Sequence, residues 1–203
     1  MLQPTLTLTL DTIATYWEQR IAASDTPWDI GYASPALVHH FDQLLSKNIK
    51  ILIPGCGAAH EARWLLANGF NDITLLDIAP TACQQLHTKL GETCRIINQD
   101  FFQHQGNYDL IVEQTFFCAL PNNLRTQYAA KMNTLLNENG TLVGLLFDTQ
   151  FEKKGPPFGG NMAEYMVLFQ PYFNEINIAP CSLSIAPRAN TELWITLKSP
   201  KKI

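Results

Sequence analysis

The chain has 203 residues, 46% of them hydrophobic, which is enough to bury one sizeable core and falls within the usual span of a single domain. Its formal net charge of −4 argues against a nucleic-acid partner, which ordinarily needs a basic face, and the basic cluster at 198–202 reads as a solvated tail. Five cysteines (Cys56, Cys83, Cys94, Cys118 and Cys181) form no C-x-x-C pair and no zinc spacing, so they are expected to be reduced thiols with no metal to hold.

Residues 1–10 have neither a basic n-region nor a long apolar h-region and are not read as a signal peptide. No apolar run approaches the ~20 residues that span a bilayer. The expectation is a soluble cytoplasmic protein with no membrane partner. Asp11 is placed to cap a helix carrying Ile13, Tyr16, Trp17 and Ile21, ended by Ser24-Asp25-Thr26-Pro27. Ser34-Pro35 opens a second helix reaching about residue 46.

From there strands and helices alternate. Strands are expected over 50–54, 72–77, 94–98 and 108–113, with helices over 61–68, 80–90 and 123–137. Asn139-Gly140 is expected to stop the last of these, and the near-continuous apolar run 141–147 reads as a strand buried on both faces. A Gly/Pro-rich loop at 155–160 leads to a helix over 163–169 and two last strands near 175–179 and 192–198. The sum is one domain over 1–203: a helical cap at about 1–48 and a doubly wound, mostly parallel α/β core with a seven-stranded sheet at about 49–203.

The chemistry centres on Ile51-Leu-Ile-Pro-Gly-Cys-Gly-Ala-Ala-His-Glu61, a buried strand running into a glycine turn and then a helix. Gly55 and Gly57 let the backbone turn sharply and approach a ligand with no Cβ in the way. Asp77 ends the next strand, 22 residues after Gly55, where a carboxylate suits the two hydroxyls of a ribose. An adenosine cofactor follows. A dinucleotide fingerprint needs a third glycine where this chain has His60, and a P-loop needs a Lys-Ser or Lys-Thr pair that is missing. With no Lys or Arg in the turn, a ligand without phosphates fits better, and S-adenosylmethionine is the obvious one.

Four segments carry a resemblance to a known family: Trp17-Glu with Thr26-Pro-Trp-Asp29, Ile53-Pro-Gly-Cys-Gly57, Leu76-Asp-Ile78, and Tyr108-Asp-Leu-Ile with Thr115-Phe-Phe-Cys-Ala119. Gly155-Pro-Pro-Phe158 supports them. The chain resembles class I S-adenosylmethionine-dependent methyltransferases with a Rossmann-like sheet, in the branch of thiopurine, thiol, halide and thiocyanate methyltransferases. The resemblance implies that Trp17 and Trp28 close over the cofactor, with Gly55 and Gly57 beneath its methionine portion. It also implies that Asp77 takes the ribose, Ile78 packs on adenine, Asp100 and Phe101 hold the adenine edge and face, and Glu113 lies beside the amino-acid end. Two departures stand out: Ile21 replaces a second N-terminal tryptophan, and Glu113-Gln114 replaces an Asp-Tyr pair.

The function expected is methyl transfer to a small soft nucleophile by a monomeric enzyme acting on a small-molecule acceptor. A thiolate or halide needs no base, and no base constellation is visible; the five histidines fall mostly on exposed faces or loops, and no catalytic residue is named. Trp28, Phe116, Phe117 and Phe158 would wall a dry pocket if the 155–158 loop folds over it. The alternatives are an O, N or metalloid acceptor, or a catalytically silent cofactor-binding protein of the same fold.

Overall fold

The computed structural model describes residues 10–153 and 155–202. The reading of residues 1–10 as no signal peptide falls, for residues 1–9, outside that description. Seven strands form one sheet: β1 (Ile51–Pro54), β2 (Ile73–Asp77), β3 (Arg95–Asn98), β4 (Tyr108–Gln114), β5 (Leu136–Phe147), β6 (Phe173–Pro180) and β7 (Glu192–Pro200). Their order is β3-β2-β1-β4-β5-β7-β6. The first five run parallel, β7 runs antiparallel to β5, and β6 antiparallel to β7. The doubly wound, mostly parallel sheet expected from the sequence is therefore present.

Alternation along β1 explains the two layers. Leu52 joins one apolar cluster, with Tyr128 and Met132 of α5 (Arg125–Leu135) and Phe169 of α6 (Met162–Phe169). Ile51 and Ile53 point the other way, into a cluster with Leu37 and Phe41 of α2 (Pro35–Asp42) and Ala62 and Leu65 of α3 (His60–Ala67). Every residue of β1 and β2 is buried, as a strand covered on both faces requires.

Two helices of the N-terminal extension are tied to this core by carboxylates. In α1 (Leu10–Ala22), Glu18 accepts the Thr81 N–H at 3.0 Å, at the N-terminus of α4 (Pro80–Leu90), where the helix dipole favours a negative charge. Before α2, the Ser34 hydroxyl makes no cap; instead the Ser34 N–H donates to buried Glu61 at 3.0 Å. α2 stops at Asp42, short of residue 46, because Gln43 and Leu44 close 3-residue turns onto His40 and Phe41. Asp11 lies inside α1 rather than capping it.

The largest departure from expectation is at Gly140. It ends no helix. α5 finishes at Leu135, and β5 begins at Leu136, which pairs with Tyr108. Gly140 is needed there because an added Cβ would lie 2.9 Å from the Tyr108 carbonyl oxygen on β4. The ladder then shifts register, with Leu110 opposite Thr141.

Candidate active site

Strand order reverses between β1 and β4, and ligands in such sheets bind in the crevice at that switch, beyond the carboxyl ends of the strands. A cavity of about 340 Å³ occupies this place. Its walls come from the residues that follow or end five strands: Gly55 after β1, Asp77 on β2, Asp100 after β3, Phe116 after β4 and Phe147 on β5.

The glycine turn is built as its residue types demand. Gly55 has φ +59°, and a Cβ on it would collide with the Phe116 ring; Gly57 has φ +48° with open space where a Cβ would lie. The Gly57 N–H donates to Asp77 Oδ2 at 2.9 Å, and the Ala79 N–H donates to Asp77 Oδ1 at 2.9 Å. Burial pushes the Asp77 carboxyl up, against these backbone donors that pull it down. An ionised carboxylate has about four acceptor positions, so the backbone donors do not exhaust what Asp77 can accept.

Trp17, Trp28, Ile78, Asp100 and Phe101 also line this cavity. The Trp17 and Trp28 rings meet edge-on at 5.2 Å. Two arginines fix Trp28: the Arg20 guanidinium lies 4.7 Å from its ring centre, and Arg188 donates to its carbonyl at 2.9 Å. One face of Trp28 therefore already carries a cation. Asp100 accepts the Phe102 N–H at 3.0 Å, capping the turn Phe101–Gln103. Phe101 is buried and meets Phe116 edge-on at 5.1 Å.

Glu113 is the exception. It is fully buried, outside the cavity wall, with its carboxylate engaged by the protein itself. Oε1 accepts the N–H groups of Phe116 and Phe117 at 2.8 and 2.9 Å, and Oε2 accepts the Tyr128 hydroxyl at 2.6 Å. Burial pushes its carboxyl up to about 7 even though all three donors favour the charged form. Gly144 on β5 makes room for it, since a Cβ there would run into the Glu113 backbone. The resemblance implies a place for Glu113 beside the amino-acid end of the cofactor, whereas here three donors of the protein itself engage its carboxylate.

Ile21 and the Pro156-Pro157 pair of the loop expected to fold over the pocket line the cavity, as do Arg20, Lys153 and Arg188, which carried no signal in the sequence. Arg188 reaches Trp28 across 160 positions, beyond any motif spacing. Gln114 lines a smaller cavity of about 50 Å³ that shares Trp28, Gly55, Gly57 and Thr115 with the first. Its Oε1 is buried with no hydrogen-bond partner. His60 lines the same recess and pairs with Asp29 at 2.6 Å.

Of the aromatic residues expected to wall the pocket, Trp28 and Phe116 do so, whereas Phe117 is core. Phe158 is not on the wall, but its N–H donates to the Cys118 carbonyl at 2.7 Å and brings the proline pair with it. Cys118 is on the wall, its thiol pushed up to about 12 chiefly by burial. His104 is buried rather than exposed, with Nε2 2.8 Å from the Tyr108 hydroxyl. No histidine among the described residues lines the cavity of about 340 Å³.

Sheet order and cavity together define the class I S-adenosylmethionine-dependent methyltransferase fold. The solved structure of Burkholderia thailandensis 1,6-didemethyltoxoflavin-N1-methyltransferase, with S-adenosylhomocysteine bound, aligns with a TM-score of 0.74 at 14% identity, covering 98% of this chain and 94% of that one. The N-methyltransferase NodS from Bradyrhizobium japonicum aligns with a TM-score of 0.67 at 17% identity, covering 94% and 100%. The thiopurine S-methyltransferase family model matches residues 13–184. The chain belongs to that family.

Among relatives, a probable thiol methyltransferase 2 of Arabidopsis thaliana is 30% identical over 184 residues, 87% of this chain and 81% of that protein. A thiopurine S-methyltransferase of Pseudomonas fluorescens is 29% identical over 178 residues, 76% and 80% of the two. The protein is an S-adenosylmethionine-dependent small-molecule methyltransferase. Among the described residues no helix is long and apolar enough to cross a membrane.

Proposed function

We propose that the protein methylates a small soft nucleophile that reaches the site as an anion, such as an acidic thiol, a thiopurine, a halide or thiocyanate. The observation that carries this reading is the charge distribution around the cavity. Three cations, Arg20, Lys153 and Arg188, line it, with Arg20 and Arg188 held by Asp25 and Glu192, neither of which is on the cavity wall. Its two carboxylates, Asp77 and Asp100, already accept backbone N–H groups beside the glycine turn and the Phe101–Gln103 turn. An acceptor that must lose a proton finds no base there, whereas an anion finds opposite charge. The names of the relatives, thiol and thiopurine methyltransferases, point the same way.

The residues present fit the cofactor. Asp77 keeps lone pairs for a pair of ribose hydroxyls, and the orphaned Gln114 Oε1 beside the glycine turn is complementary to an ammonium donor. When bound, S-adenosylmethionine supplies an electrophilic methyl group on a sulfonium. In this reading Trp17 and Trp28 cover the site, Gly55 and Gly57 admit the ligand close to the backbone, and Ile78, Asp100 and Phe101 hold the base. Apolar walls from Phe116 and the proline pair exclude water and hold the acceptor in line; such positioning is worth about 7–11 kcal/mol in well-oriented systems. The absence of a nucleic-acid partner suits the net charge of −4, and in this reading the enzyme acts as a cytoplasmic monomer.

Calorimetry with S-adenosylmethionine, followed by S-adenosylhomocysteine release on a panel of thiophenol, a thiopurine, iodide, thiocyanate and a catechol, tests this. Turnover confined to the anionic soft acceptors is expected. Binding with no turnover anywhere would instead indicate a silent cofactor-binding protein, and preference for the catechol would sink the reading.

A further inference from the structure

We propose that Glu113 is a positioning residue for the methyl acceptor, acting through the 115–119 turn without touching either substrate. This inference rests on the methyl-transfer reading above and names what holds the acceptor wall in place.

The geometry is a three-point anchor between two elements. Oε1 takes the Phe116 and Phe117 N–H groups, where the turn Phe117–Ala119 begins, and Oε2 takes the Tyr128 hydroxyl from α5. The preceding Thr115 has φ +58°, a conformation that a β-branched residue adopts only when its surroundings hold it. With the turn pinned, the Phe116 ring lies over Gly55 and against Phe101.

The anchoring extends further. The Cys118 carbonyl accepts the Phe158 N–H at 2.7 Å, and Arg125, also on α5, donates to the Gly159 carbonyl at 2.8 Å. Pro156 and Pro157 are thus registered on the turn that Glu113 holds, and with Phe116 and Cys118 they form one side of the cavity. The glycine turn and Asp77 have their own hydrogen bonds and do not pass through Glu113. Loss of the anchor should therefore disturb the acceptor wall far more than cofactor binding.

Two substitutions separate shape from charge. In Glu113→Gln the amide oxygen still accepts two N–H groups and the amide nitrogen donates to the Tyr128 oxygen, so the anchor survives without its charge. Glu113→Asp keeps the charge but is one methylene too short to span the same donors. On the full-length protein, the Asp variant is expected to raise acceptor KM about tenfold or more while S-adenosylhomocysteine affinity changes less than about threefold. The Gln variant is expected to restore KM to within about threefold of wild type. Hydrogen exchange of segment 114–120 should follow the same order, with protection kept in Gln and lost in Asp.

An Asp variant better than Gln would overturn the proposal, as would cofactor affinity falling in step with acceptor KM, because either makes the charge or a cofactor contact the role. A Gln variant that fails to fold also overturns it. If only the Asp variant fails to fold, Tyr128→Phe removes one donor and must reproduce the same split. The exchange measurement needs no turnover. A wild type silent on every acceptor would remove the methyl-transfer reading, while exchange would still decide whether Glu113 holds the turn.

Discussion

Replacing Glu113 by glutamine keeps the shape of the side chain and removes a charge from a fully buried position, so its effect on stability has a calculable pH dependence. Burial raises the carboxyl from an ordinary 4.5 to about 7. The folded state therefore holds this proton more tightly than the unfolded chain does. The resulting contribution to stability is fully present below pH 4.5 and is lost as pH climbs through about 7. The interval from 4.5 to about 7, at about 1.36 kcal/mol per pH unit, amounts to about 3 kcal/mol. At pH 8 the glutamine variant should be more stable than wild type by up to that amount, and near pH 4.5 by almost nothing.

Urea denaturation of both proteins across this range, with wild type subtracted from variant, is the assay. Subtraction cancels the titrations the two share, including Asp77 and Glu61, raised by burial, and His40 and His104, lowered by it. A difference that stays flat between pH 4.5 and 8, or that falls as pH rises, would refute the reasoning.

The glycine turn offers a paired test. Gly55→Ala meets both a left-handed backbone and the Phe116 ring and should lose about 2–4 kcal/mol in urea melts, whereas Gly57→Ala meets only the backbone and should lose about 1–2; the reverse order would contradict the packing. Asp77→Asn should weaken S-adenosylhomocysteine binding about 10- to 100-fold by calorimetry, the worth of a charged hydrogen bond; unchanged affinity would remove Asp77 from the site. Arg188→Met should raise KM for thiocyanate about tenfold or more and much less for a neutral thiol, since a partly buried guanidinium is lost from the cavity wall. Equal effects on both would point to loosening of Trp28 instead.

Most of the fold could be read in advance because it is written in local patterns. The continuous apolar runs of β1, β2 and β5 and the proline that opens α4 at Pro80 each act within a few residues. Gly140 was misjudged because a glycine required by a neighbouring strand looks, in sequence, like one required by a helix end. Likewise Asp77 sits at a strand end that periodicity locates, and Asp100 and Phe101 are named by the family resemblance, whereas Arg20 and Arg188 meet Trp28 only through folding. Glu113 shows the limit most clearly. Its position at the end of β4 was evident, but only the atoms around it reveal that its lone pairs are already in use.

If the cavity takes the cofactor as proposed above, Cys118 places a soft nucleophile beside an alkylating agent, and the enzyme must avoid becoming its own substrate. Thiolate, not thiol, attacks methyl donors. With its proton held up to about 12, Cys118 presents about a thousandfold less thiolate at neutral pH than a thiol titrating at 9.0. Mass spectrometry after prolonged incubation with S-adenosylmethionine should accordingly find residue 118 unmethylated. The burial that packs this side of the cavity also keeps its thiol chemically inert.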